Sequence, residues 1–495
     1  MTKSREGLAR PAGAQECAPE GTIEAIYDEV RRATHEATPA VPFPTPAVAC
    51  VLWRRRAAAR TEIELFLVQR AFTHPFLGGF WGFPGGRVEA SDRDLASACA
   101  REVREELAIV LTDDASAYVP AARFVTPVFS ALRYDAQYFL VEAPAGAAPD
   151  HAASREHRAG LWIAPAAALE RFARGEWLMP SPVVDTLAAL AAGLDGAAGR
   201  LAAAEREEES RRMWWLAAGI AVCPVRTPTL PPATHTNTYV VGGLERGAGD
   251  VVVIDPASPY DDERAALDRE LDALLAAGGR VRAILLTHHH LDHVSGAAHL
   301  AAAVGAPIWA HADTARLLAG RLEIHHMLAD GDVIELDGSP RRRLRVLHTP
   351  GHAPGHLCFA EEETGFIAVG DMVASGSTIL VDPQSEGDMR LYLESLDRLA
   401  RAGARALLPA HGAPIADPAG KLEEYVRHRL WREERVAAAL AERGRARARD
   451  LVPLAYADVA PALVGLAERS LVAHLFKLAA DGRARREGDE WLAPA

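Results

Sequence analysis

Short apolar stretches separated by polar turns begin at Thr45 and predict an α/β domain over residues 45–195. Two strands, "AVACVLWRRR" and "EIELFLVQR", precede a glycine-rich loop and a helix that ends at Leu107. A further strand, "YDAQYFLVEAP", and two short helices complete the pattern. Residues 1–44 are rich in Pro, Ala and Glu, and we expect them to form a lead-in to this domain.

The pattern changes after residue 195. Residues 196–214 combine Gly and Ala with a charged run, and we interpret them as a linker with a solvated helical face. Residues 215–420 alternate apolar strands such as "DVVVID" and "VRAILLTHHH" with helical stretches, which predicts a second α/β domain. Residues 421–495 have a helical pattern that ends in a short hairpin, "GRARREGDEWL", and we interpret them as a tail.

Composition is that of an ordinary soluble protein, with 49% hydrophobic and 24% charged residues in 495. The net charge of −13 argues against nucleic-acid binding by attraction of the whole chain, although it allows a local basic surface. Five widely spaced cysteines without a CxxC pair indicate free thiols in a reducing compartment. No apolar leader and no membrane-spanning run occur in the sequence, so we expect a cytoplasmic protein that does not contact membranes.

The densest group of chemically active residues is "THHHLDH", directly after an apolar strand. His288 and His290 are two residues apart and would point the same way in extended chain, so they can bind one ion. Asp292 and His293 follow and can turn toward a second ion. Imidazole and carboxylate at this density suit zinc and related transition metals.

Three later segments also place a polar side chain where an apolar strand ends. They are "HTPGHAPGH" with His352, "GFIAVGDMV" with Asp371, and "ALLPAHG" with His411. Strand ends are the usual location of the active site in α/β proteins. Each residue alone is compatible with an ordinary loop, but their order after the first motif indicates a shared metal site.

Together these motifs resemble the metallo-β-lactamase superfamily, which has a four-layer αββα fold. The resemblance implies two zinc ions, or similar transition metals, with a water that they activate as the nucleophile. One ion would be held by His288, His290 and His352, the other by Asp292, His293 and His411, with Asp371 bridging them. Asp292 would also act catalytically by orienting the nucleophile. His289 and His356 would support the ligands from behind.

Asp371 stands where zinc β-lactamases often have Cys, which favours the binuclear branch containing glyoxalase II and RNA-processing nucleases. The segments "THTNTYVV", "VVVIDPAS" and "LLPAHGAPIADPAGKLEEYVRHRLWREERV" resemble the lactamase-beta-like endoribonucleases, which end in a winged-helix-like tail. The final residues, "LVGLAERSLVAHLFKLAADGRARREGDEWL", fit the helix and two-stranded wing of such a tail. RNA and a thioester are therefore both candidate substrates of this domain.

The charge of the tail leaves its role open. Residues 421–495 contain 14 Lys and Arg against 12 Asp and Glu. The run "RGRARAR" (443–449) and three arginines of the wing, Arg483, Arg485 and Arg486, could contact phosphates. Alternatively, the tail only covers the domain or mediates dimerisation.

The first domain carries "GGRVEASDRDLASACAREVREEL", which resembles the Nudix box GX5EX7REUXEEXGU, where U is a bulky aliphatic residue. Three glutamates at helical spacing, Glu102, Glu105 and Glu106, share one face and would repel one another without a cation. Their hard oxygen ligands favour Mg²⁺ or Mn²⁺. The resemblance implies that these residues hold the ion, and that Glu105 and Glu106 act in catalysis on a diphosphate.

Two departures from the box concern its spacing and its glycine. Eight residues, not seven, separate the first acid, Asp92, from Arg101, so the pairing of these two side chains is uncertain. Ala108 replaces the glycine, which costs little unless positive φ is needed there. A similarly lengthened box occurs in the branch of coenzyme A and acyl-CoA diphosphatases, which "FLVQRAFTHPFLGGFWGFPGG" also resembles.

The sequence as a whole predicts a Nudix α/β/α sandwich, then an αββα metallo-β-lactamase fold with a winged-helix-like tail. We expect a two-domain metal-dependent hydrolase. The first domain would cleave a nucleotide or CoA-type diphosphate, and the second a phosphodiester or a thioester. In the alternative interpretation, the Nudix domain is a non-catalytic nucleotide sensor that regulates a thioesterase. The sequence indicates neither the substrate-binding residues nor the oligomeric state.

Overall fold

The first sheet is built from strands that alternate apolar side chains between two covered faces. The computed structural model describes residues 41–56, 59–243 and 249–494, so the lead-in predicted for 1–44 lies outside the described residues except for 41–44. The elements of the first domain are β1 (Thr45–Arg56), β2 (Ala59–Arg70), β3 (Trp81–Gly82), α1 (Leu95–Leu107), β4 (Val119–Val125), β5 (Tyr134–Glu142), β6 (His157–Ile163), α2 (Pro165–Ala173) and α3 (Ser181–Ala191). The strand order is β3-β2-β1-β5-β4, with β6 also paired to β2 and with β1 and β5 parallel.

Strand β2 shows how the period of two covers both faces of this sheet. Phe66 and Val68 pack in the core beneath α1, whereas Leu65 and Leu67 pack in the core beneath α2 and α3. The predicted α/β/α sandwich is therefore confirmed. A helix over Ala197–Ser210, α4, buries Leu201 in the second of these cores, so part of the predicted linker packs on the first domain.

The second domain contains two sheets that pack face to face. The seven-stranded sheet and its helices comprise β7 (Trp214–Ala217), β8 (Ile220–Arg226), β9 (His235–Gly242), β10 (Gly249–Ile254), α5 (Asp261–Ala276), β11 (Gly279–Leu285), α6 (Leu291–Val294), α7 (Ala297–Val304), β12 (Ile308–His311), α8 (Ala312–Leu317) and β13 (His326–Leu328). The five-stranded sheet and its helix comprise β14 (Val333–Leu336), β15 (Arg342–His348), β16 (Leu357–Glu361), β17 (Phe366–Gly370), α9 (Met389–Arg401) and β18 (Ala406–Pro409). The strand orders are β13-β12-β11-β10-β9-β8-β7 and β14-β15-β16-β17-β18.

Alternation again explains the layers of this domain. Val241 and Leu285 of the first sheet share one core with Leu344 and Phe359 of the second. The outer face of the seven-stranded sheet is covered by α5 and α7, and that of the five-stranded sheet by α9 and the start of the next helix. The fold is the predicted αββα arrangement. Phe80 of the first domain joins the central core, so the two domains pack directly against each other.

The tail begins with a long helix that belongs to two cores. Its elements are α10 (Pro418–Arg443), β19 (Arg445–Arg447), α11 (Ala448–Ala455), α12 (Val464–Ala480), β20 (Arg485–Glu487) and β21 (Glu490–Leu492). Leu422 and Tyr425 of α10 pack on the five-stranded sheet, whereas Val436 and Leu440 pack in the core of the tail. The strands form a small sheet in the order β19-β21-β20, which confirms the winged-helix-like prediction.

Two further expectations concern cysteines and membranes. Four of the five cysteines lie in the described ranges, where they are buried free thiols, as expected. Across 41–56, 59–243 and 249–494, no helix combines the length and the apolar character that crossing a membrane would require.

Candidate functional site

The seven predicted metal-binding side chains of the second domain lie together at the ends of its strands. His288 and His290 follow β11 in a loop, rather than continuing the strand, and Asp292 and His293 lie in the short helix α6. The other three follow β15, β17 and β18, and they are His352, Asp371 and His411. All seven are buried, with no more than 6% of any residue exposed.

Three histidines form a compact group of nitrogen atoms. Nε2 of His288 lies 2.8 Å from Nδ1 of His290, and Nε2 of His352 lies 3.2 Å and 3.0 Å from these two atoms. Burial and the neighbouring histidines hold the pKa of His288 and of His290 well below the usual value, which favours neutral rings with free lone pairs. This is the arrangement that a single metal ion would require.

A second group contains Asp292, His293 and His411, and Asp371 lies between the two groups. One Asp371 oxygen, Oδ2, lies 3.5 Å from Nε2 of His352, while Oδ1 lies 3.6 Å from Nε2 of His293 and 3.4 Å from Nε2 of His411. Burial opposes ionisation, but His411 and His293 outweigh it and hold the pKa of Asp371 well below its usual range. An ionised carboxylate in this position is suited to bridge two cations.

Unpaired buried atoms support a cation at this position. Asp292 Oδ1, His293 Nε2 and Asp371 Oδ1 are buried without a hydrogen-bond partner, although buried polar atoms are normally paired. The donor set consists of imidazole nitrogens and carboxylate oxygens, which zinc and related metals prefer. The residues therefore fit the two transition-metal ions expected from the sequence.

Asp255, which we did not predict from the sequence, supports the site through His293. Its carboxylate accepts hydrogen bonds from the amide (2.8 Å) and hydroxyl (2.6 Å) of Thr287 and lies 2.8 Å from Nδ1 of His293. This contact leaves Nε2 of His293 to face Asp371. The available signal was its position directly after the apolar strand β10, the same rule that identified Asp371.

Two more contacts orient the ligands through backbone atoms. Nδ1 of His352 lies 2.8 Å from the carbonyl oxygen of Leu380, and Nδ1 of His411 lies 3.0 Å from that of His235. His356, expected to support the ligands, accepts a hydrogen bond from the amide of Asp371 at 3.1 Å. The two carbonyl oxygens hold the rings of His352 and His411 in one orientation, and His356 fixes the backbone of Asp371.

In the first domain, helix α1 begins with a capping box. Arg101 of this helix contacts several acidic side chains. The Arg101 guanidinium donates to both oxygens of Asp92 at 2.9 Å, so the uncertain pair does form. It also donates to Glu102 at 2.9 Å and to Glu105 at 3.2 Å. Within the loop before the helix, Asp92 also accepts the amide of Glu89 at 2.8 Å.

Glu106 points into the protein, unlike its two companions. Its Oε2 accepts the amide of Gly85 at 2.9 Å, and its Oε1 lies 3.7 Å from Nε2 of His157. Burial raises the pKa of Glu106 to about 8, and the nearby charges of Glu102 and Glu156 contribute. His157 and Glu156 were not predicted, because no spacing rule connects them to the helix.

The three glutamates do not converge on one point. Within the described part of the chain, the groups of three metal-type side chains whose ligand atoms lie within 4.8 Å of one another all come from the second domain. Glu102 and Glu105 turn to Arg101, and Glu106 turns to Gly85. Their carboxylate oxygens are the hard ligands that Mg²⁺ and Mn²⁺ prefer.

The condition stated for Ala108, a positive φ at this position, is met. Ala108 ends α1 in the left-handed region, with φ of 56°, where a Cβ is unfavourable by about 1–2 kcal/mol. The position therefore does require the positive φ that glycine adopts without strain.

Replacing Ala108 with Gly should stabilise the first domain by about 1 kcal/mol, because the strain of the Cβ is removed. Urea unfolding followed through the tryptophans of this domain would measure the change. Ala100→Gly, inside the same helix, is the matched control and should destabilise by about 0.5–1 kcal/mol. A lower unfolding midpoint for Ala108→Gly would show that strain at this cap does not limit stability.

Comparison with known proteins agrees with this geometry. Residues 231–411 match the family model of the metallo-β-lactamase superfamily, residues 448–491 that of the β-lactamase-associated winged helix domain, and residues 43–180 that of the NUDIX domain. The lactamase-like protein aptB of Emericella nidulans is 34% identical over 211 residues, which cover 42% of this chain and 60% of aptB. This chain thus spans less than two thirds of that relative.

The match spans more of the length of a second relative and of one solved structure. The β-lactamase-like protein 2 homolog of Drosophila melanogaster is 28% identical over 272 residues, 52% of this chain and 87% of that protein. A β-lactamase domain protein from Burkholderia ambifaria, 23% identical, has the same fold with a TM-score of 0.50 over 57% of this chain and 93% of its own. The chain therefore contains a region that matches the NUDIX domain, followed by regions that match the metallo-β-lactamase superfamily and its associated winged helix domain.

Proposed function

We propose that the second domain is a binuclear metal hydrolase that cleaves a thioester, and that the NUDIX domain cleaves a CoA-type or nucleotide diphosphate. The observation that carries the first part is the position of Asp371, whose two oxygens face two separate groups of ligand-type atoms. A carboxylate between two such groups supports a pair of cations rather than one.

The residues around this centre would hold the metal ions and orient the attacking water. His288, His290 and His352 would hold one ion, and Asp292, His293 and His411 the other, with Asp371 between them. When bound, zinc-type ions would lower the pKa of a water that they bind and would polarise the carbonyl oxygen of the substrate. Asp292, whose Oδ1 has no other partner, would accept a proton or hydrogen bond from the attacking water and so orient it.

The pairing of arginines in the tail supports a thioester over RNA. Arg445 contacts Glu490 at 2.6 Å, Arg483 contacts Glu434 at 2.9 Å, and Arg485 contacts Glu487 at 2.9 Å. The guanidinium of Arg486 lies over the rings of Phe476 and Trp491. Neutralised arginines release few counterions on binding phosphates, so these contacts weaken the case for the wing as an RNA-binding surface.

In the NUDIX domain, Glu102, Glu105 and Glu106 would hold Mg²⁺ or Mn²⁺, which would neutralise charge on the diphosphate. Arg101 holds Glu102 and Glu105 on one side of α1 and ties the helix to the preceding loop through Asp92. Burial raises the pKa of Glu106. Of the three glutamates, it is therefore the one whose ionisation a bound cation would change most. These contacts fix the acidic helix against the lengthened loop.

A metal analysis and a substrate panel on the intact protein test both proposals. We expect two zinc-type ions per chain, release of thiol from an acyl-CoA thioester, and cleavage of CoA or a dinucleotide diphosphate when Mg²⁺ or Mn²⁺ is added. A single-stranded RNA should remain intact. Cleavage of the RNA without thiol release would overturn the thioester assignment, and binding of only one ion would contradict the binuclear centre.

A further inference from the structure

The segment over residues 374–388 connects the metal centre to the tail. It follows Asp371 and precedes α9, and it provides backbone partners for two of the proposed ligands. The carbonyl oxygen of Leu380 lies 2.8 Å from Nδ1 of His352, and the amide of Ser375 donates to the carbonyl oxygen of His411 at 3.0 Å. This segment therefore orients the ring of His352 and contacts the backbone of His411.

Helix α10 holds the first half of the 374–388 segment. The hydroxyl of Tyr425 accepts the amide of Ala374 at 2.9 Å and donates to the carbonyl oxygen of Ser377 at 2.7 Å. The Arg429 guanidinium, which is 3% exposed, donates to the carbonyl oxygen of Ile379, the residue before Leu380. These buried contacts fix the backbone directly next to the partner of His352.

Helix α12 of the winged helix holds the second half. Arg469 donates to Oδ2 of Asp382 at 2.7 Å, and this carboxylate is almost fully buried. Oδ1 of Asp382 accepts the amide of Gln384 at 2.9 Å, and its carbonyl oxygen accepts the amide of Gly387 at 2.9 Å. Asp382 thus shapes the turn, and Arg469 joins that turn to the tail.

We propose that the winged-helix tail is a positioning element of the metal centre, with Arg469 as the residue that acts through Asp382 and Leu380 on His352. The inference rests on the proposed binuclear function. With the segment in place, the Leu380 carbonyl accepts Nδ1–H of His352, and the lone pair of Nε2 faces His288 and His290. The tail acts in this way without contacting either ion.

The physical basis is the cost of a misplaced backbone acceptor. Without Arg469, the buried Asp382 loses its cationic partner, and a buried carboxylate without such a partner favours rearrangement of its turn. Movement of Leu380 would release Nδ1 of His352 and allow the other tautomer. Loss of a partner behind a metal ligand typically lowers metal affinity by roughly 10–100-fold.

Arg469→Gln tests the proposal, with Asp458→Asn as the matched control. Asp458 pairs with Arg432 at 2.8 Å within the tail and is half-exposed, so the control breaks another Arg–Asp pair without touching the 374–388 segment. Chelator competition on the full chain would measure metal affinity. We expect one of the two ions to bind roughly 10-fold or more weakly in Arg469→Gln, and unchanged binding in the control.

Histidine spectra of the ¹⁵N-labelled, metal-free protein give a readout that does not depend on activity. His352 should be the Nδ1–H tautomer in the wild type and the control, and a mixture of tautomers in Arg469→Gln. Tyr425→Phe, which removes only one hydroxyl, should show the same change. It provides the test if Arg469→Gln does not fold. The proposal would be overturned if Arg469→Gln and Tyr425→Phe both showed the same metal affinity and the same His352 tautomer as the control. Failure of the proposed function is distinguishable, because the wild type itself would then not bind two ions.

Discussion

Replacing His290 with Ala should abolish hydrolysis by the second domain and remove one of the two bound ions. His290 contributes one of three nitrogens that lie within 3.2 Å of one another, and alanine leaves only two of them to hold the ion. The rate should fall by more than about 100-fold, beyond the 10–100-fold typical of residues that only support a ligand. Metal content per chain and thiol release from an acyl-CoA would measure both effects.

The control for this variant is His299→Ala. His299 lies on α7 of the same domain, where it pairs with Asp268 at 2.8 Å and is partly exposed. Its replacement removes an imidazole without altering the site, so metal content and rate should stay at the wild-type level. Full metal content together with full activity in His290→Ala would refute the proposed ligand set. NUDIX activity should be unchanged in both variants.

The positions of the seven ligand-type residues could be predicted because a local rule identifies them. Each follows an apolar strand, and the strand ends of the two packed sheets meet at one edge of the domain. The αββα layers follow from alternation in the same strands: in β11, Leu285 packs in the core between the two sheets, whereas Ile284 packs in the core beneath α5 and α7. Local pattern and tertiary structure agree in these cases. The role of each residue as a ligand stays a prediction.

Contacts between distant parts of the chain could not be predicted in this way. The Leu380 carbonyl that orients His352 is a backbone atom, and no side-chain pattern identifies it. Arg469 and Asp382 are 87 residues apart, and each alone is an ordinary charged residue. The left-handed conformation of Ala108 was left open for a different reason, since alanine gives no signal of positive φ.

The arginines of the tail illustrate a further limit of reasoning from composition. Counted along the sequence, Arg483 and Arg485 suggest a basic surface. In the folded tail, each lies beside a glutamate, because the hairpin and α10 bring opposite charges together. Net charge per segment therefore overstates the potential available to a phosphate.

Replacing Glu105 with Gln should reduce diphosphate hydrolysis by the NUDIX domain by roughly 100-fold or more, the range typical of a positioned carboxylate in catalysis. Stability should change little, because the side chain is 53% exposed and its ion pair with Arg101 is worth at most about 1 kcal/mol at the surface. A steady-state assay with CoA or a dinucleotide at saturating Mg²⁺ would measure the rate. Glu170→Gln, an exposed glutamate on α2 across the sheet, is the matched control.

The same variant separates the enzyme from the sensor interpretation of the NUDIX domain. If this domain is an enzyme, Glu105→Gln loses diphosphate cleavage while thiol release by the second domain keeps its wild-type rate. If the domain only senses a nucleotide, the wild type cleaves no diphosphate, yet the nucleotide changes the rate of thiol release. Because Phe80 of the first domain packs in the core between the two sheets of the second, such an effect has a physical route. Diphosphate cleavage that survives Glu105→Gln unchanged would reject the proposed NUDIX chemistry altogether.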